Sequence, residues 1–157
     1  MNISKRVIQF FSLDSKTRFL FLETFICLGW ARFLLYLPFT KVAPFLGIQM
    51  QETSNSQIQT NRTVLISISG AIGTMSKHTF WENKCLVKAI AGMKMLERRQ
   101  IESTLYLGTA KDEAGELIAH AWLRSGPFYI TGSEVMNRFT VVGKFAKKAI
   151  IEGEYYG

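Results

Sequence analysis

The chain has 157 residues, 48% of them hydrophobic and 13% aromatic. This suits a single domain with a real core, excludes disorder and leaves no room for a second domain of ordinary size. Its formal net charge of +7 is spread along the chain without a tail of like charges, which favours an acidic partner without choosing among nucleic acid, membrane surface and acidic peptide.

Apolar residues at Val7, Phe10, Phe11 and Leu13, then at Phe19, Leu20 and Leu22, predict a helix over about Lys5–Phe25. A second helix is predicted over about Thr24–Leu37, ended by Pro38, whose ring removes a donor and clashes inside a helix. The apolar run Phe19–Gly47 is interrupted by Glu23 and Arg32, and its uncharged stretches, Thr24–Ala31 and Phe33–Thr40, are eight residues each. That is well short of the roughly 20 that cross a bilayer. Two readings stay open for this run: a buried or partner-facing helical segment, which is preferred, and an interfacial helix with basic flanks that contacts a membrane surface. No signal peptide is visible, so a reducing cytoplasm is the expected setting, with peripheral membrane contact as the variant.

Gln49–Thr63 is polar and reads as a linker or loop. It divides the chain into a hydrophobic helical region over 1–48, a linker over 49–60 and a catalytic core over 61–157. From Asn61 to Lys77, Val64, Ile68, Ala71, Ile72 and Met75 recur at helical spacing. The run Val64, Ile66, Ile68 also alternates like a strand, but the helical pattern persists longer. Cys85–Arg99 is a clearer helix, with Leu86, Ala89, Ile90, Met93 and Leu96 on one face and Lys84, Lys88, Lys94 and Arg98 mostly off it. Gly92 in its middle marks close packing. After it the period falls to two. Strands are predicted at Ser103–Thr109, Leu117–Leu123, Phe128–Thr131 and Arg138–Phe145, with turns at Lys111–Glu116 and Ser125–Pro127. Helices followed by a meander give an α+β fold.

The two cysteines, Cys27 and Cys85, form neither a CxxC pair nor a disulfide framework. With only His78 and His120 to join them, a metal site is not expected. No glycine-rich phosphate loop and no aromatic-basic nucleic-acid module occurs, so neither a nucleotide cofactor nor a nucleic-acid partner is expected. Cys85 stands at a helix start. With Asn83 as N-cap it takes the second helical position; with a Thr79–Glu82 capping box it lies one turn further in. In the first geometry free N–H groups stabilise a thiolate and face the oxyanion formed when it attacks a carbonyl. His120 lies mid-strand between Ala119 and Ala121, whose small side chains leave room for an imidazole at a cleft, able to move the nucleophile's proton. Trp81 and Trp122 stand close to the pair and are candidate walls of the substrate cleft. Cys27, inside an aromatic helix, reads as structural; His78 has no assigned role.

The segment WENKCLVKAIAGMKMLERRQIESTLYLGTAKD, followed by AHAWLRSG and ITG, resembles the stand-alone leader peptidase of lasso-peptide biosynthesis, within the transglutaminase-like cysteine peptidase superfamily. The resemblance covers most of the chain, including the arginine-bearing apolar N-terminal part with its LPF turn. It implies a transglutaminase-like, papain-like core with the cysteine on a helix and the histidine on an antiparallel sheet. It further implies Cys85 as nucleophile, His120 as base, a precursor peptide as substrate, and no cofactor or metal. The partners it implies are a separate leader-binding protein and an ATP-dependent lasso cyclase. Many relatives carry an aspartate about a dozen residues after the histidine, where this chain has Thr131, Gly132 and Ser133. The orienting role then falls to Glu134, to a hydroxyl such as Thr131, or to a backbone carbonyl. Two other functions are compatible with the same residues: acyl transfer to an amine by the same Cys–His pair, and a non-enzymatic scaffold or membrane-surface role.

Overall fold

The computed structural model describes residues 3–56, 61–79 and 84–150. Helices come first: α1 over Ile3–Phe11, α2 over Ser15–Leu34, α3 over Phe39–Leu46, α4 over Arg62–Met75 and α5 over Cys85–Glu97. A short strand β1, Ile48–Gln49, lies between α3 and α4. Strands β2 (Ser103–Lys111), β3 (Leu117–Ser125), β4 (Phe128–Thr131) and β5 (Thr140–Lys147) follow α5. The sheet order is β1-β5-β2-β3-β4, and every pairing is antiparallel. This is the α+β architecture expected from the change of period.

The N-terminal helix boundary differs from the sequence expectation. The break falls at 12–14, and α2 then runs without interruption through Thr24. The reason is local. Asp14 is in extended conformation and accepts hydrogen bonds from the Thr17 N–H at 3.1 Å and the Thr17 hydroxyl at 2.6 Å, which starts a new helix there. Pro38 does end the α2 region, yet it also opens α3 as its N-cap, where its fixed φ suits the entry to a helix. Polar residues 49–56 lie against the sheet. The Met50 N–H reaches the Lys144 carbonyl at 2.8 Å, and Thr53 is buried with its N–H on Thr104 Oγ1 at 2.9 Å. The buried Arg124 guanidinium donates to Thr53 O, Ser54 O, Gly126 O and the Tyr106 hydroxyl.

One hydrophobic core joins the helices to the sheet. Leu28, Ala31 and Leu34 of α2 meet Ile68 and Ile72 of α4, Val87, Ile90, Met95 and Leu96 of α5, and Leu105, Ala121, Leu123 and Phe145 of the sheet. Gly92 marks the closest approach of α5 to the strands: a Cβ there would lie 2.9 Å from Leu123 Cδ2 and 3.1 Å from Ile72 Cδ1. Arg99 clamps α2 to the end of α5 through two hydrogen bonds to Glu23, at 2.8 and 2.7 Å. The opposite side of α2 stays open: Phe19, Leu22, Ile26 and Phe33, at helical spacing, are exposed. Among the described residues no helix is long and apolar enough to cross a membrane.

Candidate active site

Cys85 is the first residue of α5. Lys84 precedes it in extended conformation as N-cap and makes no side-chain cap bond to the helix. The thiol therefore sits where first-turn N–H groups have no intrahelical partner and the helix dipole favours negative charge. Cys85 is a free thiol, partly exposed. The N-cap is thus Lys84 and neither Asn83 nor Thr79, so Cys85 takes the first helical position, not the second and not one a turn further in. Glu82, Asn83 and Trp81, the candidate cleft wall, lie outside the described residues. Cys27 is different in kind: it is 4% exposed, and burial pushes its thiol pKa up, which keeps it protonated and inert.

His120 lies in the middle of β3, paired with Gly108 of β2. Side chains alternate along the strand, so Ala121 and Leu123 join the core under α5 while His120 and Trp122 form the other row. The imidazole is held on three sides. Its centroid is 6.0 Å from the Trp122 ring, nearly parallel to it, and 5.0 Å from the Phe139 ring. Its Nε2 is 2.7 Å from the carbonyl oxygen of Gly132. Trp122 is buried and stacks in turn on Tyr106, at 5.5 Å between ring centres, so it backs the imidazole inside the fold. Gly108 leaves room for that indole: a Cβ there would come within 2.8 Å of Trp122 Cζ3.

Thr131 ends β4, and its hydroxyl oxygen is buried without a hydrogen bond among the described residues. Glu134 is exposed in the turn after β4. Gly132, between them, is the group in contact with the imidazole.

A family model described as the transglutaminase-like superfamily matches residues 33–144, well over half of the chain and inclusive of both Cys85 and His120. The chain belongs to this superfamily. Membership agrees with the helix-borne cysteine and the antiparallel sheet, and it supports an enzyme of the cysteine-peptidase type, as in the leader peptidases that the motifs resemble. No curated protein and no solved structure matches the chain.

Two partners of the His120 ring were not named from the sequence. Phe139 had no signal, since nothing in RFTVV distinguishes an aromatic that covers an imidazole from one that fills a core. Gly132 had one: it is a glycine twelve residues past the histidine, in the stretch where a backbone carbonyl is among the candidates for the orienting role. The apolar cavity of about 520 Å³ lies elsewhere, between α1, α2 and the end of α4, lined by Val7, Phe10, Phe21 and Met75. His78 is on its wall.

Proposed function

We propose that this protein removes the leader from a lasso-peptide precursor, with Cys85 as nucleophile and His120 as general base and acid. The observation that carries the reading is the cysteine at the first position of α5, inside the family match. The reaction requires the Cys85 thiol to come within reach of the imidazole, which lies in the row of β3 facing away from the α5 core. His120 then takes the proton from Sγ, and the thiolate attacks the scissile carbonyl carbon. The carbonyl electrons move to oxygen, where the first-turn N–H groups of α5 face them. The C–N bond then breaks, the imidazolium gives its proton to the departing amine, and the core peptide leaves. Water adds to the remaining thioester, passing its proton to His120. The C–S bond breaks, Sγ takes that proton back from the imidazolium, and the leader leaves as a carboxylate, its acid proton passing to solvent. Each step uses groups of this chain, the substrate and water.

Recruitment belongs to the same proposal. A separate leader-binding protein presents the precursor, and an ATP-dependent cyclase takes the freed amine. Residues 1–48 dock the partner, 49–60 connect, and 61–157 carry the chemistry. The exposed row Phe19, Leu22, Ile26 and Phe33, with Lys16, Arg18 and Arg32 beside it, supports a docking role for α2. The setting is the cytoplasm; peripheral contact with the inner face of the membrane is the competing use of that row.

The test is mass spectrometry of precursor incubated with this protein and its leader-binding partner, beside Cys85→Ala and His120→Ala. A single cut at the leader–core junction, lost in both variants, is the expected result. A product carrying an added amine in place of water identifies acyl transfer. No cut by folded wild type with bound leader overturns the enzyme reading in favour of a scaffold. Loss of partner binding in Phe19→Glu and Phe33→Glu is expected for docking; retained partner binding with lost vesicle binding assigns the row to the membrane.

A further inference from the structure

We infer that the backbone carbonyl of Gly132 is the third member of the site: a positioning group that fixes the tautomer and orientation of His120. The inference rests on the peptidase reading for its catalytic consequence, but not for its geometry. A carbonyl oxygen only accepts hydrogen bonds, so an imidazole nitrogen 2.7 Å from it must carry the hydrogen. Nε2 is thereby the protonated nitrogen of the neutral ring, and the lone pair that can take a proton from a thiol is on Nδ1. Trp122 and Phe139 hold the plane of the ring, and the Gly132 bond fixes its rotation within that plane. Those are the two services an orienting carboxylate gives a catalytic histidine.

The residue that supplies the carbonyl has to be glycine. Gly132 has φ +77°, a left-handed conformation that side-chain-bearing residues rarely adopt. A Cβ on it would lie 2.4 Å from the Ala121 carbonyl oxygen and 3.0 Å from Trp122 Cβ. The Cβ-less backbone can thus lie flat against β3, the strand that bears His120, and aim its oxygen at the ring. The neighbouring candidates do not compete for the ring: Glu134 points to solvent, and the Thr131 hydroxyl makes no hydrogen bond among the described residues. An amide oxygen differs from a carboxylate in carrying no net charge. It orders the imidazole without placing a negative charge beside Nε2.

The test begins without substrate. Long-range proton–nitrogen correlation spectra of the full-length protein report the tautomer of each histidine, and there are only two; His78→Gln assigns them. A neutral His120 carrying its hydrogen on Nε2 alone is expected. A hydrogen on Nδ1, or a mixture, overturns the inference. The second arm replaces Ser133 by its α-hydroxy acid, which turns the Gly132 carbonyl into that of an ester, a weaker acceptor, with every side chain kept. This variant is expected to show a mixture of tautomers and a kcat about tenfold lower at unchanged KM, the equivalent of one lost hydrogen bond. An unchanged tautomer and an unchanged kcat overturn the inference. Gly132→Ala adds strain to the same loss and is read only beside the ester variant. If the wild type shows the expected tautomer but cleaves nothing, the peptidase reading falls and the positioning stands. If it cleaves while His120 is mixed, the reverse holds.

Discussion

Gly92→Ala is a perturbation whose sign separates two physical effects. Inside a helix, alanine is favoured over glycine by about 1 kcal/mol. Here the added methyl would sit 2.9 Å from Leu123 Cδ2 and 3.1 Å from Ile72 Cδ1, where neither neighbour has free space, since Leu123 and Ile72 are 0% and 1% exposed. Overpacking of this kind costs roughly 1–3 kcal/mol. The net expectation is a loss of about 1 kcal/mol, or about 3 °C in Tm for a chain of this size. Leu123→Ala alone should lose about 3 kcal/mol through its cavity. In the double variant the two changes relieve each other, so the losses should add to at least about 1 kcal/mol less than their sum. Urea titration followed by circular dichroism measures all three. A stabilised Gly92→Ala, or strict additivity with Leu123→Ala, would refute the claim that α5 is pressed against β3 at this point.

Native protein treated with iodoacetamide should gain one label, on Cys85, and a second, on Cys27, only after denaturation, because Cys27 is buried with its thiol pKa raised; peptide mapping reads this. The Arg99 guanidinium holds the Glu23 carboxyl below the usual carboxylate range. A lowered folded value means that this stabilisation is fully present above the ordinary carboxylate pKa and is lost as pH falls through the folded one. Glu23→Gln should therefore destabilise by about 1 kcal/mol at neutral pH and flatten the acid side of the stability curve, as followed by urea midpoints between neutrality and acid. Arg124→Ala should cost about 3 kcal/mol, because it strips a buried donor from three backbone carbonyls and the Tyr106 hydroxyl; limited proteolysis should then open the segment around Thr53.

Much of this fold is legible from periodicity. Helices α4 and α5 and strands β2 to β5 stand close to where repeats near four and two place them. The turns of the β2–β3–β4 meander are equally plain, but β5 returns beside β2 where a simple meander would place it beside β4. Two misjudged boundaries follow from context that a one-dimensional pattern lacks. The α1–α2 break depends on one capping carboxylate, Asp14, while apolar residues run on through both helices. Strand β5 begins at Thr140 and not at Arg138 because Met136–Arg138 first makes a helical turn. The site divides in the same way. The sequence offers Cys85 as a candidate by its place at a helix start, and His120 by its small neighbours. It cannot announce a backbone carbonyl, since every residue has one and only the approach of the chain selects Gly132.

That approach is set from the helix layer. The Ser69 hydroxyl of α4 donates to the Ile130 carbonyl at 2.7 Å, which anchors β4 two residues before Gly132. The Gly92 position of α5 faces Ile130 Cγ2 at 3.7 Å as well as Leu123, and Leu123 follows His120 on β3 by three residues. One position on α5 therefore references both the strand that bears His120 and the strand that precedes Gly132. Cys85 is seven residues up the same helix, about 10 Å away, on an element that does not bend over two turns. A residue larger than glycine at 92 would move the helix, and the thiol with it, relative to the strands that hold the imidazole and its carbonyl. Displacement of about 1 Å between reacting groups is enough to lose about a hundredfold in rate. Under the proposed Cys85–His120 reaction, the loss of cleavage in Gly92→Ala should exceed what its small loss of folded protein explains, while the tautomer of His120, held by Trp122, Phe139 and Gly132, should stay as it is.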